Sequence, residues 1–160
     1  MPEQKTNVMR LLDQRKIAYT PHAYPHGDTA IDGVTVAGMI GKAPESVFKT
    51  IVARGSSRTI YVFVIPVCAE LDLKRAAKAA GEKAVEMVHV SEINSLTGYV
   101  RGGCSPIGMK KQYKTIFDSS SVDQKTIVVS AGKIGAQVEL APQELIRLTR
   151  AVTGDITKES

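Results

Sequence analysis

Lys49 sits in Val47-Phe48-Lys49-Thr50-Ile51-Val52, where every neighbour except Thr50 is apolar. Strand alternation puts Phe48, Thr50 and Val52 on one face, and Lys49, Ile51 and Ala53 on the other. A lysine in such a strand lies at an edge, runs its stem out to water, or points into a cleft. In a cleft its ammonium can hold a phosphate or polarise a carbonyl, and partial desolvation strengthens either interaction.

The segment Gly98-Tyr99-Val100-Arg101-Gly102-Gly103-Cys104-Ser105-Pro106-Ile107-Gly108-Met109-Lys110-Lys111 has a second chemical capacity. Its glycines permit positive φ and close backbone approach, and Pro106 stiffens the turn. Exposed N–H groups in such a loop can cradle a phosphate or an acyl oxygen, with the two lysines adding positive charge. The same residues also suit a tight turn beside a solvated basic face. A third segment, Ser130-Ala131-Gly132-Lys133-Ile134-Gly135, lacks the upstream glycine of a phosphate loop, so nucleotide hydrolysis by that mechanism is dropped. It reads as a hairpin turn between two strands.

Other constellations are weaker. His22 and His26 have the spacing of a helical metal pair, but Pro21 and Pro25 exclude a helix there. With His89, Cys68 and Cys104 the remaining candidates, no metal is expected. Cys104 is either a nucleophile with a histidine base or a small apolar filler. Glu82 and Glu86, four apart after Gly81, read as a solvated face.

The elements that must position these residues follow from composition and periodicity. The chain has 160 residues, 43% apolar and 23% charged, the balance of one globular domain spanning 1–160 with a sizeable core. No apolar run approaches the roughly 20 residues of a membrane helix. Residues 1–6 lack the apolar core of a signal peptide, so a cytoplasmic protein without a membrane partner is expected, with reduced thiols at Cys68 and Cys104. A net charge of +5, from 21 Lys and Arg against 16 Asp and Glu, favours a polyanionic partner.

Thr6 caps a first helix with an apolar stripe at Val8, Met9, Leu11 and Leu12. A strand over 17–21 enters a loop over 22–27, and a helix over 35–40 ends at Gly41. A helical turn over 43–46 precedes strands at 47–53 and 59–65, joined as a hairpin. A helix over 73–80 stops at Gly81, a strand covers 85–87, and a short helix follows Ser91. Strands at 115–117, 126–129 and 136–140 precede a helix over 143–151 opened by Pro142. Hairpin-length links between strands favour an α+β fold with a mixed, largely antiparallel sheet and helices packed around it, over a doubly wound parallel sheet.

An ordered series of short motifs spans most of the chain: His22-Ala23-Tyr24-Pro25-His26, Val47-Phe48-Lys49-Thr50, Leu71-Asp72-Leu73-Lys74, Ser95-Leu96-Thr97-Gly98-Tyr99, Gly102-Gly103-Cys104-Ser105-Pro106-Ile107-Gly108, Ser130-Ala131-Gly132-Lys133 and Val138-Glu139-Leu140. In this series the chain resembles the YbaK/EbsC family of aminoacyl-tRNA deacylases, relatives of the editing insertion domain of bacterial prolyl-tRNA synthetases. The resemblance implies a barrel-like sheet wrapped by helices. It implies a trans-editing hydrolase that cleaves the ester between a wrong amino acid and the 3′ end of tRNA, closest to the branch that clears cysteine from proline tRNA.

Lys49 matches the family's essential lysine and is the implied catalytic residue. Tyr24, Phe48, Thr50, Gly102, Gly103, Ser105, Pro106, Ser130, Gly132 and Gln137 are the implied substrate-binding residues. Backbone N–H groups near Gly102 and Gly103 would stabilise a developing oxyanion. No cofactor is implied, and the partners are the tRNA acceptor end and, as a candidate, prolyl-tRNA synthetase. In the cysteine-clearing branch the substrate thiol attacks its own ester. Gln137 stands where many relatives carry aspartate, so it can hydrogen bond but brings no charge. Two alternatives stay open: water-driven removal of alanine or serine, and a non-catalytic module docking on tRNA or a synthetase through Lys110-Lys111 and Lys74-Arg75.

Overall fold

The run Ile60–Pro66 is apolar at both alternating sets of positions, the pattern of a strand covered on both faces. In the computed structural model, which describes residues 5–159, it is the middle strand of a five-stranded sheet. The strands are β1 (Thr20–Ala23), β2 (Phe48–Gly55), β3 (Ile60–Pro66), β4 (Val85–Met87), β5 (Lys114–Asp118), β6 (Ile127–Lys133), β7 (Ala136–Leu140) and β8 (Val152–Gly154). The helices are α1 (Asn7–Gln14), α2 (Gly33–Met39), α3 (Leu73–Ala80), α4 (Val90–Thr97) and α5 (Pro142–Thr149). Short 3₁₀ turns cover Pro44–Ser46 and Ser119–Asp123.

One sheet has the order β4-β2-β3-β5-β8 and the other β1-β7-β6. All pairings are antiparallel except β3–β5 and β5–β8. The sheets are joined by a parallel bridge between Val47 and Val128. The mixed, largely antiparallel α+β expectation therefore holds, as two bridged sheets rather than a closed barrel. Among the described residues no helix is long and apolar enough to cross a membrane. Of the signal-peptide reading over 1–6, residues 1–4 lie outside the described residues.

Alternation along β3 divides the core. Val62 and Val64 pack with α1, β6, β7 and α5 around Leu12, Phe117, Val129 and Leu145. Tyr61, Phe63 and Ile65 pack on the other side against Ala76, Ala77 and Ala80 of α3. An eight-residue helix is marginal alone, so this face and its caps hold α3 in place. The Asp72 carboxylate accepts the N–H groups of Lys74 and Arg75, each at 3.0 Å, and Gly81 closes the helix at φ +76°.

The structure departs from sequence expectation in particular places. β1 begins at Thr20 rather than 17, because Ile17 N–H returns to Leu12 C=O and Ile17 packs into the core beside α1. His22 is therefore a strand residue, not a loop residue. β6 continues through 130–133 by a bulge, so the reversal falls at Gly135, φ +94°. β8 and the Ser119–Asp123 turn have no counterpart in the sequence reading. Glu82 is a clamp rather than a solvated charge: its carboxylate accepts Ser57 N–H at 3.0 Å and Tyr61 O–H at 2.5 Å. Hydrogen bonds from Ser57, then Tyr61, hold that carboxyl at about 2.

Candidate active site

The site arises where the two sheets part. β2 has β3 along one side. On its other side β4 pairs only with Ala53–Gly55, and Val88 N–H reaches Val52 C=O at 3.1 Å. At the opposite end Val47 bridges Val128, the residue after the start of β6. Residues 48–51 between these points have no second strand neighbour among the described residues. In the gap a pocket of about 120 Å³ opens, bordered by Tyr24, Phe48, Lys49, Thr50, Gly102, Cys104, Ser130 and Gln137. That volume approaches the roughly 150 Å³ of an engineered cavity that accepts benzene, so it suits a small side chain.

Each bordering residue is held by the fold. Tyr24 is buried; its N–H donates to Gly135 C=O at 3.0 Å and its ring meets His26 edge-on, centroids 6.4 Å apart. Phe48 is buried in the main core and reaches the pocket from β2. Ser130 and Gln137 are cross-strand partners in β6 and β7. Ser130 Oγ accepts Gly132 N–H at 3.1 Å, which shapes the bulge together with the φ of +99° at Gly132. Lys49 is exposed at the pocket rim and makes no ion pair among the described residues.

Two bordering residues carry a buried side-chain oxygen that lacks a partner among the described residues. Thr50 Oγ1 and Gln137 Oε1 are buried and accept no hydrogen bond among the described residues. A buried polar group left so costs about 1–3 kcal/mol, which a polar ligand in the pocket would offset. The charge-neutral Gln137 is therefore a hydrogen-bonding group at the pocket wall. Its strand is pinned from outside: Gln137 and Glu139 share a face of β7, and His22 is the register partner of Gln137. His22 Nε2 contacts Glu139 Oε1 at 2.8 Å, while Lys42 Nζ and Thr126 Oγ1 donate to Oε2 at 2.9 and 2.5 Å. Burial opposes ionisation of Glu139, but Thr126, His22 and Lys42 outweigh it and bring the carboxyl to about 2. Among the described residues no three His, Cys, Asp or Glu side chains group as metal ligands.

Four sequence-selected residues do not border the pocket. Gly103 donates its N–H to Val100 C=O at 2.9 Å and packs against the Lys133–Ile134 backbone. Its N–H is thus engaged, whereas Gly102, at φ +86° on the pocket wall, has an N–H with no protein acceptor among the described residues. Ser105 is fully buried and its Oγ accepts Ile107 N–H at 3.2 Å. Pro106 borders a different cleft beside Leu11 and Gly108. Gly132 packs against Tyr99. All four shape the loop and bulge behind the site.

Cys104 does border the pocket, but burial pushes its thiol up to about 11, against the pull of the Thr97 hydroxyl. It is a neutral filler at physiological pH, not a thiolate. Tyr99, pushed up to about 12 by burial and then by Cys104, donates its O–H to Ile107 C=O and anchors the loop. Sequence reasoning missed the apolar wall of Ile31, Gly33, Val36, Val47 and Val67. Val47 alone carried a sequence signal, as part of the Val47-Phe48-Lys49-Thr50 motif; at Gly33 a Cβ would stand 2.3 Å from Val67 Cγ1, so glycine there lets α2 approach the pocket.

This fold and pocket define an editing domain: residues 25–148 match the sequence profile described as the aminoacyl-tRNA editing domain, and the chain belongs to that family. It is 43% identical over 155 residues, covering 97% of this chain and 94% of the other, to an Enterococcus faecalis protein with the provisional name Cys-tRNA(Pro)/Cys-tRNA(Cys) deacylase EbsC. The crystal structure of hypothetical protein APE2540 superposes with a TM-score of 0.85 at 23% identity, over 96% of this chain and 100% of that one. A crystal structure of a provisionally assigned trans-editing enzyme for prolyl tRNA synthetase gives 0.82 at 21% identity, over 98% and 100%. These two likenesses concern the fold.

Proposed function

We propose that this protein hydrolyses the ester joining a misattached amino acid to the 3′ end of tRNA, with Cys-tRNA(Pro) as its preferred substrate. The observation that carries the reading is a pocket sized for a small side chain whose wall residues Thr50 and Gln137 each hold a buried oxygen unpartnered among the described residues, with Lys49, in no ion pair among them, at its rim. Family membership and the name of the Enterococcus faecalis relative support it. The described chain acts as one editing domain, in trans and in the cytoplasm, and prolyl-tRNA synthetase is the candidate partner that selects the tRNA.

An aminoacyl ester is already activated, so the protein supplies positioning and charge stabilisation rather than a strong nucleophile. Gln137 and Thr50 hold the polar groups of the amino acid, and Tyr24, Phe48 and Ser130 enclose it. Lys49 holds the terminal ribose and phosphate. The substrate sulfur, as thiolate, forms a bond to its own carbonyl carbon. The ester C–O bond then breaks, the ribose oxygen takes a proton, and a cyclic thioester leaves, which water opens to free cysteine. Gly102 N–H is the donor placed for the transient oxyanion; losing one such donor costs about 10²–10³ in rate.

Cysteinyl, alanyl and seryl esters on one tRNA, assayed side by side, test the reading. The cysteine ester is expected to fall fastest. Equal rates for all three would overturn the thiol step, and no release from any would overturn the deacylase reading in favour of a binding module.

A further inference from the structure

Lys49 borders a second depression, of about 530 Å³, together with Ile51, Leu73, Lys74 and Met87. Alternation gives β2 the role of a partition. Thr50 belongs to the face of the aminoacyl pocket, and Lys49 and Ile51 to the face of this groove. We infer that the groove binds the single-stranded 3′ nucleotides of the tRNA, with a phosphodiester held between Lys49 and Lys74 and a base lying on Met87 and Leu73. The inference rests on the deacylase reading and extends it to how the nucleic acid is held.

Charge and apolar surface agree on that occupant. The groove's acidic groups are already neutralised within the protein. Asp72 accepts two backbone N–H groups and has the Arg75 guanidinium at 3.9 Å, and Glu70 pairs with Lys158 at 3.1 Å. Lys49 and Lys74 pair with no carboxylate among the described residues, so the unmatched charge in the groove is two ammonium groups. Beside them Met87 is 59% and Leu73 42% exposed, large apolar side chains left facing water. Cations next to exposed aliphatic side chains match a strand of nucleotides, with phosphates for the ammonium groups and base faces for the aliphatic surface.

Size points the same way. The aminoacyl pocket, at about 120 Å³, takes the amino acid and leaves no room for a nucleoside. Lys49 is common to both spaces, so a substrate whose ester lies at that lysine extends its nucleotides into the groove.

The test is binding of an end-labelled, uncharged CCA trinucleotide across a salt series by wild type, Lys74→Ala, Met87→Ala and, outside the groove lining, Lys111→Ala, each checked for an unchanged melting temperature. Lys74→Ala is expected to weaken binding about fivefold or more and to flatten the log K against log salt slope by about 0.7, one phosphate contact on a single strand. Met87→Ala is expected to weaken binding about threefold or more while keeping the slope, since it removes apolar contact area and no charge. Lys111→Ala should match wild type. Binding unaltered in both groove variants, or lost only in Lys111→Ala, overturns the inference. Because the ligand carries no amino acid, that result is separate from a failure to release amino acid, which would instead sink the deacylase reading.

Discussion

Gly103 and Lys133 meet backbone to backbone: a Cβ on Gly103 would stand 2.8 Å from Lys133 Cα and 2.9 Å from Ile134 N. This contact joins the glycine loop to the β6–β7 reversal, so that Gly102 and Cys104 come to the same pocket as Ser130 and Gln137. A methyl group there has rigid backbone to displace. Gly103→Ala is expected to lose about 1–3 kcal/mol of stability in denaturant unfolding and to lower deacylation with it. Gly38→Ala is the matched control. Nothing lies within 4 Å of a Cβ at Gly38, inside α2, so a gain of about 0.5–1 kcal/mol is expected instead.

Thr50 separates function from stability. Its buried hydroxyl has no partner among the described residues, so Thr50→Val removes an unsatisfied group at nearly constant shape. Thermal unfolding should show a melting temperature equal to or above wild type, while cysteine release from tRNA falls. Lower stability with normal turnover would mean the hydroxyl serves the fold.

The outer brace of β7 predicts a pH dependence. Glu139, ordinarily near 4.5, is held at about 2 in the folded protein, despite burial, by Thr126, His22 and Lys42. A depressed carboxyl stabilises the fold fully above its unfolded pKa and loses that contribution as pH falls through the folded one. The melting-temperature gap between wild type and Glu139→Gln should therefore be full above about 4.5 and close toward 2. A gap that widens as pH falls would contradict the brace.

How much of this was legible in the sequence depended on the physics of each element. α3, β4 and β7 carry their own signals, with a capping aspartate, a stop glycine or clean alternation, and their limits match the expected 73–80, 85–87 and 136–140. β1 was misplaced because its limits come from pairing with β7, a long-range contact with no local signature. β8 is a three-residue edge strand that exists through its parallel pairing with β5. At the site, the family resemblance selected Tyr24, Phe48, Lys49, Thr50, Gly102, Ser130 and Gln137, all of which border one pocket. Gly103, Ser105, Pro106 and Gly132 share the same motifs but shape the backbone behind it. Residue type alone does not distinguish a lining glycine from a supporting one. Ile31, Val36 and Val67 were invisible because a pocket wall of apolar residues has the composition of any core.

The Lys49 ammonium, in no ion pair among the described residues, sits at the junction of pocket and groove, where we propose that it holds the ester end of the tRNA. Single-turnover deacylation of Cys-tRNA(Pro) by Lys49→Ala tests it most directly. A rate loss on the order of 10²-fold or more is expected with an unchanged melting temperature, because Lys49 is exposed and makes no ion pair among the described residues. Turnover near wild type in a folded Lys49→Ala protein would contradict it.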